Sequence, residues 1–488
     1  MILTVDIGTS VLKAALFEKD GTAIRRAEYP ISLLPNPDPL RREVDAEDWV
    51  RGLRSVAGQL GLAGFPARAG SSALEAMIIS GNGPTLVPVA GDGTVLAKAM
   101  TWMDRRGVEE ARIVSEKRGK YTDPAFTLPK ALWLYRNERS IYDRTRYFLS
   151  PPEFLTFVLT GEALTFLPTP QYKESIMWDE AAVEMLGMDK GKFPPFIAPG
   201  VLVGKVGATG SAATGVPAGT PVIAGAPDFI VALLGTATVR PGRACVRSGT
   251  SEGINLCSTV PANDKRLLSV GHLAEGLYNV SGVISTTGKA LEWFKNLSGK
   301  TETSYESLFE EVAEVPAGAN RLLFLPYLAG ERAPLWDPSA RGSFIGLNLN
   351  HGLRDMTRAV VESVAFAIRD VIEVMGENGL AVSDLRIIGT PSKSAVWNQI
   401  RADVTGRRIL VPVLQDADLS GDLCLGLFGL GEYPSIAAAS EAVVRIGAVF
   451  EPQSATTAIY DELFPLYRQS YKGLREVFTQ LSTARSRT

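Results

Sequence analysis

The alternation of apolar and polar positions predicts an α/β chain. Ile2-Leu3-Thr4-Val5 is β-prone, Asp6-Ile7-Gly8-Thr9-Ser10 is a glycine turn, and Leu12 to Phe17 resumes the extended pattern until Asp20-Gly21 turns it back. Met77 to Ile79 and Leu86 to Val89 read as strands on either side of a glycine loop at Gly81 to Pro84. A second strand–turn–strand unit spans Ala244 to Cys257 around Ser248-Gly249-Thr250-Ser251. Gly-Thr-Ser thus occurs at 8–10 and at 249–251 in the same setting, which predicts a duplicated domain plan. A third turn, Gly389-Thr390-Pro391-Ser392, follows Leu385-Arg386-Ile387-Ile388 and precedes a helix-like segment from Ser394.

Helical spacing is clearest toward the C-terminus. Val360, Val364, Ile368, Ile372 and Met375 form one apolar stripe, predicting a helix over Asp355 to Met375 capped by Asp355. Tyr460, Leu463, Phe464, Tyr467, Tyr471, Leu474, Phe478 and Leu481 predict a terminal packing helix with Pro465 at its start or at a kink. Ser482 to Thr488 reads as a fraying tail. Pro241-Gly242 marks a turn between the halves, which divides the chain into 1–243 and 244–488.

Composition removes several classes. The 488 residues carry 50 Lys and Arg against 53 Asp and Glu, a net charge of −3, so no global basic field would hold nucleic acid or an anionic membrane. With 45% hydrophobic and 21% charged residues, a folded globular chain is expected. Cys245, Cys257 and Cys424 have neither disulfide-scaffold nor zinc spacing, and His272 and His351 lie far apart. Pro221, Pro227 and Asp228 interrupt the apolar run Thr220 to Val239, which argues against a membrane helix. Asp6 interrupts the first apolar residues and no basic region precedes them, so no secretory leader is expected and a reducing, cytoplasmic location is the default.

Asp228 is the most informative position. It is the only charged residue from Val206 to Val239, between Ala224-Gly225-Ala226-Pro227 and Phe229-Ile230-Val231. A carboxylate in such a stretch is a candidate general base at the floor of a cleft, or the cap of a helix starting at Phe229, and the two roles are compatible. In the first turn, Gly8, Thr9 and Ser10 suit phosphate oxygens, Asp6 suits Mg²⁺, and Lys13 would add a cation. Gly249 and Thr250 would supply an opposing phosphate clamp. Trp102 and Asp104, in Trp102-Met103-Asp104-Arg105-Arg106, are candidate polyol contacts, with an amphipathic surface segment as the plainer reading.

These residues resemble the FGGY carbohydrate kinases of the sugar kinase/actin/Hsp70 superfamily, over about Ile2 to Tyr471. Gly342-Ser343-Phe344-Ile345-Gly346-Leu347, followed by Asp355-Met356 and Ala359-Val360-Val361-Glu362, is similar to the C-terminal signature. Thr127 to Asn137 resembles the N-terminal one, and Leu325 to Pro334 with Trp336-Asp337 resembles the xylulokinase branch. The resemblance implies two RNase H-like (actin/hexokinase-type) domains flanking an active-site cleft. The first half would hold the sugar and the catalytic aspartate, the second the nucleotide. It implies ATP and Mg²⁺ as cofactors, Asp228 as base, Asp6 as metal-linked aspartate, Thr9 and Thr250 at phosphates, and Gly389 and Ser394 in the adenosine motif. Asn82 and Gly83 would touch a small sugar or polyol, with a D-xylulose-like ketopentose as lead substrate. Neither nucleic acid nor membrane is implied, and a homodimer is allowed. The chain departs from the family pattern at Asn82-Gly83-Pro84, Phe229, Glu252, Thr390-Pro391 and the bulky run Gly421 to Leu425. Glu252 would set a negative charge near phosphates and Pro391 would remove a backbone donor. A sugar- or nucleotide-binding regulator with impaired transfer is therefore the alternative reading.

Overall fold

A computed structural model describes residues 1–64 and 74–483. The end of the expected tail, 484–488, lies outside the described residues. The chain divides into two compact units. The first comprises Met1–Ala237, Gly271–Glu275 and Ala417–Val444, and the second Thr238–Val270, Gly276–Asp416 and Arg445–Thr488. Ala417–Val444, far downstream of the turn at Pro241-Gly242, thus packs with the first unit.

The first unit is built on a six-stranded sheet. Its strands are β1 (Ile2–Ile7), β2 (Val11–Phe17), β3 (Ala23–Pro30), β4 (Ala76–Gly81), β5 (Leu202–Lys205) and β6 (Pro221–Pro227), in the order β5-β6-β4-β1-β2-β3. β1, β2 and β3 form an antiparallel meander, while β1, β4 and β6 are parallel. β1 and β4 are buried on both faces and read as continuous apolar runs, as central parallel strands do. The expected strand at 77–79 therefore extends to Ala76–Gly81, and the turn at Gly21 has φ +92°.

The second unit repeats this plan. Its strands are β7 (Arg243–Ser248), β8 (Glu252–Ser258), β9 (Leu268–Gly271), β10 (Tyr278–Ile284), β11 (Asp384–Ile388), β12 (Arg408–Pro412) and β13 (Ile446–Phe450), in the order β9-β10-β8-β7-β11-β12-β13. β7, β8 and β10 form an antiparallel meander, β7, β11 and β12 are parallel, and β13 is an antiparallel edge. Apart from the extra β9, the two sheets have one strand plan. The two Gly-Thr-Ser turns join the same pair of strands in each, as the duplicated sequence pattern predicts.

The helices needed here are α1 (Thr127–Asn137), α2 (Asp228–Gly235), α3 (Leu353–Glu377), α4 (Ala395–Thr405), α5 (Ala417–Gly429) and α6 (Ser454–Thr483). α3 starts two residues before the expected Asp355. That side chain sits one turn in and accepts from the Gly352 N–H at 2.7 Å, reaching back over the helix start. α6 begins at Ser454 and runs through Pro465, so the proline is not its start. Phe366 of α3 stacks on Phe464 and Tyr467 of α6, and this buried aromatic contact supports the helix around the proline.

Glu252 is turned into the core. It lies opposite Ser248 in the β7–β8 hairpin, fully buried, and Arg401 of α4 donates to its Oε1 at 2.5 Å. The same Arg401 Nη2 reaches Ser248 Oγ at 3.2 Å, and the guanidinium lies 4.5 Å from the Trp397 ring centroid. The expected negative charge beneath this turn is therefore matched by a buried cation.

Removing one partner of such a pair leaves a buried, unmatched charge, which costs about 3–5 kcal/mol, whereas replacing both by apolar or neutral groups can be nearly neutral. Arg401→Met is expected to lower the urea midpoint sharply, and Glu252→Gln combined with Arg401→Met to recover most of the loss. Additive losses in the double variant would contradict the pairing.

Candidate active site

Strand register assembles the candidate residues of the first unit. Ile7 of β1 pairs with Gly81 of β4, and Gly81 pairs with Pro227 of β6. Three parallel strands therefore end side by side, and Asp6, Asn82 and Asp228 lie at the same end of the sheet. Ligands bind at the carboxyl ends of strands in open α/β sheets. Neighbouring strands are about 4.8 Å apart, so the backbones carrying Asp6 and Asp228 are separated by roughly 10 Å. A register shift between Ala224 and Pro227 re-aims the end of β6 just before Asp228, a common use of a bulge beside a functional residue.

Asp228 is the first residue of α2, and Pro227 is the N-cap. The helix thus begins one residue earlier than the capping reading expects. The half-buried carboxylate accepts from the Phe229 N–H at 2.6 Å and sits at the positive end of the helix dipole. An anion held there is oriented without being removed from solvent.

The first turn is tight because the Val11 carbonyl closes on it. Gly8 N–H donates to that oxygen at 3.0 Å, and a Cβ on Gly8 would lie 2.7 Å from it. Lys13 pairs with Asp6 across β1 and β2, and Thr9 and Ser10 sit at the open end of the turn. Trp102, 42% exposed, donates its indole N–H to Thr9 Oγ1 at 2.9 Å, which ties the Trp102 loop to the turn.

Asp104 stands apart from the other candidates. Its side chain is fully buried, and its oxygens accept from Arg106 Nε and Nη2 at 2.9 and 2.7 Å and from the Arg42 N–H at 2.8 Å. Glu43 completes the network through Arg106. As placed, Asp104 shapes the loop and offers no surface to a ligand. Asn82 is also committed: its Nδ2 donates to the Ile7 carbonyl at 2.9 Å and its Oδ1 accepts from Thr85 Oγ1 at 2.7 Å. Gly83 has open space where a Cβ would be.

In the second unit, the ends of β7 and β11 bring Gly249, Thr250 and Gly389 together. Gly389 has φ +95°, and a Cβ there would lie 2.0 Å from the Ser248 carbonyl oxygen, so only glycine fits. Thr250 is exposed at the tip, and its carbonyl accepts from the Thr287 N–H at 3.2 Å. Pro391 lies in the first turn of the 3₁₀ helix Thr390–Lys393, where a backbone donor is not required. Ser394 caps α4 by accepting from the Trp397 N–H at 3.2 Å, so its hydroxyl has a structural partner. The run Gly421 to Leu425 lies on α5 in the first unit, where Ser80 Oγ donates to Asp422 Oδ2 at 2.7 Å. Burial pushes the Asp422 carboxyl well above the usual carboxylate range.

Lys130 and Glu153 are buried ionisable groups of the first unit to which the sequence reading gave no role. Lys130, inside the signature segment on α1, is fully buried and donates to the carbonyls of Pro84 at 2.6 Å and Thr101 at 2.7 Å. It thereby joins the loop after β4 to the Trp102 loop. Burial pushes its ammonium down to about 7, with the Asp104 charge opposing. Glu153, three residues after Ser150, accepts from the Ser150 N–H at 2.7 Å and the Phe166 N–H at 2.8 Å. The Ser-x-x-Glu spacing was its only signal. Burial pushes this carboxyl up to about 7 against the pull of the two N–H donors.

Among the described residues no group of three or more His, Cys, Asp or Glu side chains is placed to hold a metal ion. Mg²⁺ does not need one: it commonly keeps several waters and binds one or two carboxylates plus substrate phosphates. Asp6, beside a glycine turn with two hydroxyls, fits that demand. Among the described residues no helix is long and apolar enough to cross a membrane.

Comparison with known proteins agrees with this architecture. Residues 1–235 match the N-terminal domain of the FGGY family of carbohydrate kinases, and residues 244–430 match its C-terminal domain. The chain belongs to the FGGY family of carbohydrate kinases. It is 28% identical to a xylulose kinase of Bacillus subtilis over 99% of both chains, and 25% identical to a gluconokinase of the same organism over 99% of this chain and 97% of that one. The crystal structure of xylulose kinase from Rhodospirillum rubrum superposes with a TM-score of 0.85 at 27% identity, covering 98% of this chain and 99% of that one.

Glu153 gives the first unit a pH signature. Its folded-state value of about 7 lies above the ordinary 4.5, so the folded state retains a proton that the unfolded chain releases. That contribution to stability is fully present below about pH 4.5 and is lost as pH rises through about 7. Between pH 5 and 7.5 the urea midpoint of the native protein is expected to fall relative to that of Glu153→Gln. A pH-independent difference would contradict the assignment.

Proposed function

We propose that the chain transfers the terminal phosphoryl group of ATP to a terminal hydroxyl of a small sugar or polyol, with a D-xylulose-like ketopentose as lead acceptor. The observation that carries this reading is the parallel register that ends β1, β4 and β6 together, bringing Asp6, Asn82 and Asp228 to one end of one sheet. The xylulose kinase and gluconokinase relatives support a ketopentose first and an aldonate second.

In this reading the half 1–243 holds the acceptor and the half 244–488 the nucleotide, with α5 returning to the first unit. Asp228 accepts the proton of the acceptor hydroxyl as its oxygen bonds to the γ-phosphorus. The bond to the β–γ bridging oxygen breaks and ADP leaves. Phe229 N–H orients the Asp228 carboxylate. Thr9, Ser10 and Lys13 of the first unit, and Gly249 and Thr250 of the second, offer N–H, O–H and ammonium donors to phosphate oxygens. Gly389 allows the adenosine-side turn to approach β7. Mg²⁺, held by Asp6 and water, supplies charge neutralisation on the phosphates when bound. Trp102 and Lys130 fix the loops around the acceptor.

The regulator reading loses one of its physical motives: Glu252 is matched by Arg401 in the core.

General-base catalysis contributes about 10²- to 10⁴-fold. Asp228→Asn is therefore expected to lower acceptor-dependent ADP release by at least about 10²-fold while leaving MgATP binding by calorimetry unchanged. The acceptor panel is ketopentoses, aldonates and polyols. Unchanged turnover in Asp228→Asn, or ADP release independent of any acceptor, would overturn the proposal.

A further inference from the structure

In the second unit a cavity of about 320 Å³ lies between α3, α6 and the loop at 327–335. Gly249, Thr250 and Gly389 do not line it, so it is separate from the candidate phosphate and adenosine turns. One water needs roughly 10–15 Å³ of such space, so a molecule of about ten non-hydrogen atoms fits. Four cations stand on the wall, Arg266 and, from α6, Arg468, Lys472 and Arg475, against one acid, Asp370 of α3. The three on α6 recur at four and three residues and therefore share one helix face, where like charges repel.

Two of these cations are held in place. Arg266 pairs with Asp264 at 2.7 Å and with Glu377 at 2.8 Å. Arg468 pairs with the buried Asp370 at 3.0 Å and with Glu377 at 3.5 Å, and its guanidinium lies 5.9 Å from the Phe464 ring centroid. Lys472 and Arg475 are exposed and make no ion pair among the described residues, and Glu476 does not line the cavity. With Asp264, Glu377 and Asp370 all ionised, the four cations still outnumber the acids. The rest of the wall offers little to a neutral polyol. Pro334, Leu335 and Val374 are apolar, the Tyr327 hydroxyl shares a hydrogen bond with that of Tyr467 at 2.8 Å, and the Tyr471 hydroxyl donates to Asp337 Oδ2 at 2.8 Å. A fixed guanidinium beside two unmatched cations, with an apolar floor, suits an anion of high charge on a small apolar body.

We propose that this cavity binds a small phosphate monoester, with the phosphoryl oxygens at Arg468, Lys472 and Arg475 and a short apolar body against Pro334, Leu335 and Val374. A phosphoryl group brings about two negative charges and three acceptor oxygens to three cations, two of which lack a counter-ion. A carboxylate brings one charge and two oxygens and leaves a cation unmatched. Binding here requires no phosphoryl transfer, so it stands or falls separately from the kinase reading.

The test is calorimetry and thermal melting of the full chain at low salt with phenyl phosphate, benzoate and inorganic phosphate as probes. Phenyl phosphate is expected to bind and to raise the melting temperature by mass action, with benzoate and inorganic phosphate each at least about 10-fold weaker. Added salt is expected to weaken the binding, because the α6 cations are exposed. Lys472→Ala combined with Arg475→Ala is expected to weaken phenyl phosphate at least about 10-fold or, where the native chain takes two molecules, to lose one of them. The melting temperature of that ligand-free variant is expected not to fall, since the two side chains have no ion-pair partner and repel each other. Lys13→Ala is expected to leave this site intact. No binding of phenyl phosphate at millimolar concentration, inorganic phosphate or benzoate binding as tightly, or undiminished binding in the double variant would overturn the inference. Loss of the binding in Lys13→Ala with the double variant unaffected would move the phosphate to the first glycine turn and overturn it too.

Discussion

Everything proposed for the first unit depends on the parallel pairing of β1, β4 and β6. A side chain at the end of a strand is placed by where its neighbours end, and here Ile7, Gly81 and Pro227 share one register line. Shifting any of the three strands by one residue would send its side chains to the opposite face of the sheet. The core fixes the register: β1 and β4 are buried on both faces, and Ser80 is anchored to Asp422 of α5 from the far end of the sequence. The helix that follows β6 then presents Asp228 at its N-terminus, where backbone N–H groups favour an anion.

Around this frame, buried charge is placed with partners. Asp104 is enclosed by Arg106 and the Arg42 N–H, Glu252 by Arg401, and Lys130 by two carbonyls from separate loops. Each links segments distant in sequence. Buried ionic groups add little net stability over apolar replacements, but removing a single partner is costly, so they hold loops in one arrangement. The arrangement they hold includes the Trp102 loop, its indole bonded to Thr9, and the loop at Gly83.

Much of this was legible in the sequence. The glycine turns at 8, 249 and 389, the β-prone runs before them and the solitary Asp228 mark strand ends, because glycine and an isolated acid are unusual there for steric and electrostatic reasons. The repeat of Gly-Thr-Ser anticipated two sheets of one plan. Strand order was not legible, since it is set by contacts between segments hundreds of residues apart. The inward orientation of Glu252 escaped for the same reason: its partner is on α4. Asp104 looked like a ligand group beside an exposed tryptophan, but strand and turn geometry turn it inward.

The central claim is that Asp228 faces the reacting hydroxyl of a carbohydrate acceptor. A crystal structure with a phosphorylated acceptor's parent sugar or polyol bound tests it most directly. The account predicts an acceptor hydroxyl oxygen about 2.6–3.2 Å from an Asp228 carboxylate oxygen, with the carbohydrate at the ends of β1, β4 and β6. An acceptor well ordered at another place, with Asp228 beyond the reach of one bridging water, would contradict it.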